Sequence, residues 1–144
     1  MNHIYLAALL AVLLPTSSMA EDSEKVQIVT GKGDVAHCLA PVQIRMIDGK
    51  LRQLPSLGFD LEPGMHILAG NPVGRTSHCN KSKKRSRKPI MSIPAVEWLF
   101  EPGKKYYLAV YHDTEYIEDW RLVVWKVETE DGELVFDITD PESQ

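Results

Sequence analysis

The stretches FDLEPGMHILA (59–69) and LFEPGKKYYLA (99–109) decide how this chain is expected to fold. Each holds a hydrophobic residue, then Glu-Pro-Gly, then an apolar segment that ends in alanine. Proline presets φ for the second position of a β-turn and glycine accepts the positive φ of the third, so both phrases predict type II turns between strands. Glu62 and Glu101 are therefore interpreted as solvated turn residues without a catalytic role.

Apolar residues alternate with polar ones in VQIRMI (42–47), and Tyr107, Ala109 and Tyr111 recur at every second position in YLAVY (107–111). This period of two predicts strands. Asp48-Gly49 and Asp131-Gly132 are expected to form hairpin turns. We predict an all-β fold, a single small antiparallel β-sandwich of the immunoglobulin or transthyretin type with about eight or nine short strands. The core is expected to include Leu61, Ile67, Trp98, Phe100 and Tyr107.

The first 20 residues have no Lys, Arg, Asp or Glu, and they contain the apolar run LAALLAVLL (6–14), followed by Pro15 and small residues. This pattern predicts a signal peptide (1–20) cleaved after Ala20; the alternative is a buried N-terminal helix. The run is shorter than the roughly 20 residues that span a bilayer. We therefore expect a secreted or periplasmic protein without a membrane span, formed by one domain (21–144) and monomeric.

Cys38 and Cys79 are the only two cysteines, and in an oxidising compartment they are expected to form a disulfide. The bridge closes a loop of about 41 residues, for which the chain-entropy model gives about 4 kcal/mol. Each cysteine follows a histidine, His37 or His78, so a zinc or copper site is the alternative. Neighbouring side chains on a strand point to opposite faces, so we expect the disulfide, with no metal and no cofactor.

The segment NKSKKRSRKP (80–89) lies in an expected loop at 74–92 and is strongly basic. Six of the 16 basic residues fall here, which leaves ten against 20 acidic residues elsewhere in a chain of net charge −4. This density predicts capture of a polyanion such as lipopolysaccharide, an acidic glycan or nucleic acid, and the alternative is a solvated insertion. The candidate binding residues are Lys81, Lys83, Lys84, Arg85, Arg87 and Lys88.

No motif of a known catalytic site occurs in the chain. It lacks Gly-x-Ser-x-Gly, His-Glu-x-x-His and the glycine-rich phosphate loops. HDTEYIED (112–119) gathers one histidine and four acidic residues, but without the ligand order of a calcium loop, and we interpret it as a solvated acidic loop. We expect no enzyme. Inhibition of a secreted hydrolase is a further alternative, compatible with the size and the disulfide.

Three segments together resemble a known family: VQIRMIDGK (42–50), LGFDLEPGMHILA (57–69) and VEWLFEPGKKYYLAV (96–110). They are similar to the strand, Asp-Gly hairpin and Leu-x-Pro-Gly-x-His-x-Leu arrangement of PEGA-type and related small bacterial β-sandwich domains, in which a Tyr-Tyr strand often follows the second Pro-Gly. The resemblance implies a cell-envelope domain without known catalysis, and it supplies no active-site residue. The predicted role is thus a non-catalytic binding or envelope-associated module, whose partner is an envelope component or a polyanion.

Overall fold

The computed structural model describes residues 25–74, 76, 79 and 93–143, and within them the chain is almost entirely strand and loop. Helical structure in this part is limited to three short 3-10 turns at Val35–His37, Ile117–Asp119 and Pro141–Ser143. The strands are β1 (Val26–Val29), β2 (Leu39–Ala40), β3 (Val42–Ile47), β4 (Lys50–Leu51), β5 (Gly58–Leu61), β6 (Gly64–Pro72), β7 (Ala95–Phe100), β8 (Lys104–Tyr111), β9 (Arg121–Thr129) and β10 (Leu134–Asp137). The all-β prediction is confirmed.

The strands form two sheets. The larger sheet has the order β10-β9-β8-β1-β5, with β2 beside β8, and the smaller sheet has the order β4-β3-β6-β7. All neighbours are antiparallel except β1 and β8, which are parallel from Gln27 opposite Lys105 to Val29 opposite Tyr107. A parallel pair needs a long crossover, and the chain between β1 and β8 supplies it by building the whole smaller sheet.

Both sheets contribute apolar side chains to one core. The larger sheet provides residues such as Ile28, Leu108 and Val124, and the smaller sheet provides Ile44, Leu68 and Phe100. The ring of Phe100, which is fully buried, meets that of Tyr106 edge-on with centroids 4.9 Å apart. Two sheets that share a core in this way form a β-sandwich, as predicted.

Three of the predicted core residues lie elsewhere. Ile67 is 46% exposed and Trp98 is 37% exposed, and Tyr107 belongs to a second cluster with Leu39 and Trp125. Side chains alternate between the two faces of a strand. Because Leu68 points into the core, Ile67 points out, and because Tyr106 points into the core, Tyr107 lies on the opposite face of β8.

The two Pro-Gly pairs lie where the chain passes from one sheet to the other. Pro63-Gly64 leads from β5 in the larger sheet to β6 in the smaller one, and Pro102-Gly103 leads from β7 back to β8. Gly103 has φ 72°, as a type II turn requires, but Gly64 has φ 128° and is the first residue of β6. The expected turn geometry is therefore wrong for the first copy, where the strand begins one residue earlier.

The two Asp-Gly pairs form hairpin turns, as predicted. Asp48 and Gly49 have φ 52° and 78°, the two positive values of a two-residue turn between β3 and β4. Between β9 and β10 the loop is longer, and it is closed by a 2.8 Å hydrogen bond from the Thr129 N–H to the Glu133 carbonyl. These local turns set the register of their strand pairs.

Two predicted features fall on residues that the structure does not describe. The predicted signal peptide (1–20) and the basic residues at 81–88 lie outside the described ranges, the latter within the connection from β6 to β7. In the described part of the chain, no helix is both long enough and apolar enough to cross a bilayer.

Candidate functional site

The outer face of the smaller sheet presents exposed apolar side chains. Strand register places Leu51 opposite Met46 in one row, Ile67 opposite Glu97 in the next, and Met65 opposite Leu99 in the last. Directly opposed residues of an antiparallel pair lie on the same face. The rows are therefore neighbours on a single surface, which the fold turns away from the core.

We refer to Leu51, Met65, Ile67 and Leu99 as the apolar face. These four side chains are 81%, 59%, 46% and 53% exposed. Isolated apolar residues at a surface are ordinary, but a contiguous apolar area is a feature of interaction sites. The surface also includes a charged side chain, Glu97, which lies opposite Ile67.

On the outer face of the larger sheet, by contrast, apolar side chains are buried. Leu39, Tyr107, Ala109 and Trp125 form a buried cluster there, with Tyr111 and other side chains packed against it. The rings of Tyr107 and Trp125 meet edge-on with centroids 5.7 Å apart. Among the described residues the two outer faces of the sandwich thus differ, since apolar side chains are buried on one and exposed on the other.

A polar network lies beside this covered cluster. The Tyr107 hydroxyl donates to a Glu128 carboxylate oxygen at 2.9 Å, and the Lys126 Nζ lies 2.9 Å from the other oxygen. Burial and this hydrogen bond raise the pKa of Tyr107 to about 12. The hydrogen bond from Lys126 is the main cause that lowers the pKa of Glu128. All three groups are engaged with one another, which is a structural arrangement.

His66 connects two loops from the face of β6 opposite to Met65 and Ile67, where its ring lies 6.3 Å from that of Phe100. Its Nδ1 lies 2.7 Å from an Asp48 carboxylate oxygen, and its Nε2 lies 2.8 Å from the Glu62 carbonyl oxygen. Asp48 also accepts a 2.9 Å hydrogen bond from the Ile67 N–H. This N–H is the main cause that lowers the pKa of Asp48, followed by His66. The contacts hold the β3–β4 turn and the β5–β6 corner against β6.

Cys38 and Cys79 form the disulfide that the sequence predicts, with Cα atoms 5.8 Å apart. The neighbouring His37 side chain is half exposed and pairs with Asp34 at 3.1 Å; His78 lies outside the described residues. Within the described ranges, no group of three or more His, Cys, Asp or Glu side chains is arranged to hold a metal ion.

The acidic stretch 112–119 does not bring its side chains together as a site. His112 is 1% exposed and its ring meets that of Trp120 with centroids 6.0 Å apart, whereas Asp113 and Glu118 are exposed. Tyr116, in the same stretch, has its pKa raised by the charge of Glu115. The carboxylates therefore lie in solvent and the histidine in the interior.

A half-open cleft lies next to the disulfide. Its volume is about 460 Å3, and its lining includes His37, Tyr111, Arg121 and Ile138. The Arg121 guanidinium stacks over the Tyr111 ring at 5.1 Å from the centroid. This volume is typical of small-molecule sites, although the cation at its rim already has an aromatic partner.

Sequence reasoning identified the cysteine pair but missed the apolar face. Of its residues, Ile67 was expected in the core, and Met65 and Leu99 were given no place in the fold. The signal that distinguishes them is that β6 and β7 are apolar at both sets of alternate positions, as in Ile67 and Leu68. Such a strand is apolar on both faces, and one of those faces must lie outside the sandwich core.

Comparison with known proteins gives no relative. No family model, no curated protein and no solved structure matches this chain. The class of the protein therefore follows from its own geometry: a disulfide-linked β-sandwich in which, among the described residues, one outer face exposes apolar side chains.

Proposed function

We propose that this protein is a non-catalytic binding module of an extracytoplasmic compartment, and that its partner is a polypeptide. The apolar face carries this proposal. Covering one side chain such as Leu51 or Met65 stabilises a complex by about 1 to 2 kcal/mol. A polypeptide provides the matching apolar side chains and enough area to cover several such residues together.

Three features support the extracytoplasmic location. The Cys38–Cys79 disulfide is typical of oxidising compartments. The sequence of residues 1–20 has the pattern of a signal peptide. The resemblance of the segments at 57–69 and 96–110 to PEGA-type envelope domains supports the same location.

Three carboxyl groups of the described residues have the electrostatics of structural contacts and not those of a general acid. The pKa values of Asp48 and Glu128 are lowered. The pKa of Asp34 is also lowered, because burial, which raises it, is outweighed by hydrogen bonds from His37. A general acid needs a pKa that is raised towards the working pH. These three carboxylates are stabilised in their ionised form by donors, as structural ion pairs are.

Site-specific photocross-linking tests the proposal. The photoreactive residue p-benzoylphenylalanine is introduced at Met65, at Leu99 or, as a control, at Leu57, which is 73% exposed and lies outside the apolar face. In producing cells, the first two positions are expected to form one discrete polypeptide adduct. Excess wild-type protein is expected to compete for it, whereas the M65K/L99K variant is not.

Absence of an adduct at both positions, or the same adducts from Leu57, would contradict a polypeptide partner at the apolar face. The M65K/L99K variant is a suitable control competitor, because both substituted side chains are more than half exposed and the fold should be retained. Its thermal midpoint should therefore stay close to that of the wild-type protein.

Polyanion binding through residues 81–88 is a second candidate, favoured by six cations within this short segment. Retention on heparin is expected to fall steeply with salt, because each neutralised phosphate or sulfate releases counterions. The variant with Lys83, Lys84, Arg85 and Arg87 changed to serine should lose retention. Equal retention of both proteins would show that the segment is a solvated insertion.

A further inference from the structure

We propose that the polypeptide partner binds as an extended strand added to the free edge of β7. This inference rests on the proposed polypeptide-binding function and specifies how the partner is held. Its basis is the backbone of β7, one side of which pairs with no other described strand, together with the cleft and the charge beside it.

The register of β7 shows which backbone groups are unpaired. It pairs with β6 without a shift, from Ala95 opposite Ala69 to Phe100 opposite Gly64. The Gly70 N–H donates to the Pro94 carbonyl at 3.0 Å, which makes that pair a hydrogen-bonded one. Hydrogen-bonded and non-hydrogen-bonded pairs alternate along an antiparallel ladder. Residues 96, 98 and 100 therefore bond to β6, while residues 95, 97 and 99 direct their N–H and C=O groups outward.

Within the described part of the chain, β7 pairs with β6 alone. The other sheet edges are protected in the ways that prevent strand addition. Strand β4 has two residues, β5 has four, and β10 has four with a register shift between Leu134 and Phe136. Strand β7 has six residues, no shift and no internal proline. It is the edge that a further strand can join.

A cleft of about 260 Å3 lies between β7 and the larger sheet. Trp98 and Leu99 line it from β7, and Tyr106, Val127, Val135 and Phe136 line it from the larger sheet. Glu101 and Lys104 also line the cleft, and they form an ion pair with each other. A strand added beside β7 directs alternate side chains towards this cleft. The lining favours apolar residues at those positions of the partner.

Glu97 determines which charge is favoured on the outward-facing side of the added strand. It is exposed and is the single charged residue of β7. A Lys or Arg placed directly opposite is favoured, as cross-strand ion pairs are. A second copy of this protein, joined through the same strand, offers Glu97 no cation, and both copies have a net charge of −4. The occupant is therefore a different polypeptide, with apolar residues on one face and a basic residue on the other.

Short capped peptides are the probes. A panel is made in which Val, Ile, Leu or Phe alternates with Thr and one Lys, and amide hydrogen exchange of the full protein is measured with and without peptide. Binding is expected to slow exchange by about tenfold or more at Ala95, Glu97 and Leu99. Residues 96, 98 and 100 already bond to β6 and should change little.

Two matched controls separate strand addition from general apolar contact. Methylation of the peptide nitrogens that face β7 removes donors without changing the side chains, and it is expected to weaken binding by about tenfold or more. In the protein, E97P deletes an outward N–H that β6 does not use, so it should block protection while the β6–β7 ladder remains. E97Q retains the N–H, so protection should persist with an affinity for the Lys peptides that is reduced only a few-fold.

The proposal is overturned if no peptide of the panel protects residues 95, 97 and 99 at about 1 mM, or if N-methylated peptides protect them equally. Protection that rises with protein concentration alone would identify a second copy as the occupant and also overturn it. The proposed polypeptide-binding function is tested separately by the cross-links. If Met65 forms a cross-link but the peptides do not protect β7, polypeptide binding is retained and only strand addition is excluded.

Discussion

At the residue scale, His66 shows how one side chain joins two loops. Both of its partners, the Asp48 carboxylate and the Glu62 carbonyl, are hydrogen-bond acceptors. The ring joins the β3–β4 turn to the β5–β6 corner, and Ile67 of the apolar face is held by the same Asp48.

Asp48 is expected to make stability depend on pH in the acid range. Its pKa lies below the ordinary value of 3.8, so its contribution is complete above that pH and is lost as pH falls through the lower value of the folded state. D48N keeps an acceptor for the Ile67 N–H and tolerates φ 52°. Urea unfolding from about pH 6 to pH 2 should show a wild-type advantage that disappears at low pH. A constant advantage would contradict this assignment.

Tyr107 is expected to affect stability at the alkaline end. Its pKa is raised from 10.0 to about 12, so the hydrogen-bonded neutral form stabilises the fold below pH 10, and this stabilisation is lost as pH rises towards 12. Y107F should remove the tyrosine that titrates last in absorbance at alkaline pH. It should also reduce stability at neutral pH by about 1 kcal/mol. Unchanged titration in Y107F would assign the high pKa to another tyrosine.

At the scale of elements, the repeated Glu-Pro-Gly phrase marks the two corners where the chain changes sheet. The corners run in opposite directions, from the larger sheet to the smaller one and back. Their glycines have positive φ, which side chains with a Cβ adopt only at a cost. The repeat is therefore an architectural feature, and it places β6 and β7 next to one another in the smaller sheet.

Substitution of the corner glycines should lower stability through backbone strain. G103V is expected to cost about 1 to 3 kcal/mol, and G103N less, because asparagine tolerates left-handed φ. At Gly64, no heavy atom lies within 4 Å of an added Cβ, so G64V reports strain without a clash. Denaturant unfolding measures all three variants. Equal stabilities of G103V and the wild-type protein would exclude a strained corner.

At the scale of the whole molecule, the disulfide joins two distant parts of the chain. Cys38 and Cys79 are separated by 41 residues, a stretch that includes β3, β4, β5 and β6. Most of the smaller sheet is thus enclosed in the covalent loop, whereas β7 lies outside it. The bridge restricts the unfolded chain across both sheets without taking part in the apolar face.

Removal of this bridge should destabilise the fold and leave the binding surface unchanged. The C38S/C79S variant is expected to lose about 4 kcal/mol, from the chain-entropy cost of the closed loop. Wild-type protein reduced with dithiothreitol is the matched control, since it retains both cysteines, and should lose a similar amount in denaturant unfolding. Cross-linking from Met65 should persist in the folded variant. An unchanged unfolding midpoint would contradict the expected stabilisation by the disulfide.

Local features of the fold were predictable from the sequence. The Asp-Gly hairpins, the strands at 42–47 and 107–111, and the cysteine pair all follow from turn chemistry, period-two alternation and composition. The candidate surface was not predictable, because Met65, Ile67 and Leu99 have the same pattern as buried residues. The two Pro-Gly phrases also look alike in sequence, although Gly64 and Gly103 adopt different φ values.

The amino-acid sequence was enough to predict an all-β sandwich closed by one disulfide, because alternation and turn residues act over a few neighbouring positions. The folded arrangement was needed to show which apolar residues lie outside, which strand has an edge that is unpaired among the described residues, and that β1 pairs in parallel with β8. These properties depend on how distant strands pair. A strand such as β6, apolar at both Ile67 and Leu68, satisfies its local preferences equally well with either face inward, so only packing of the two sheets selects one.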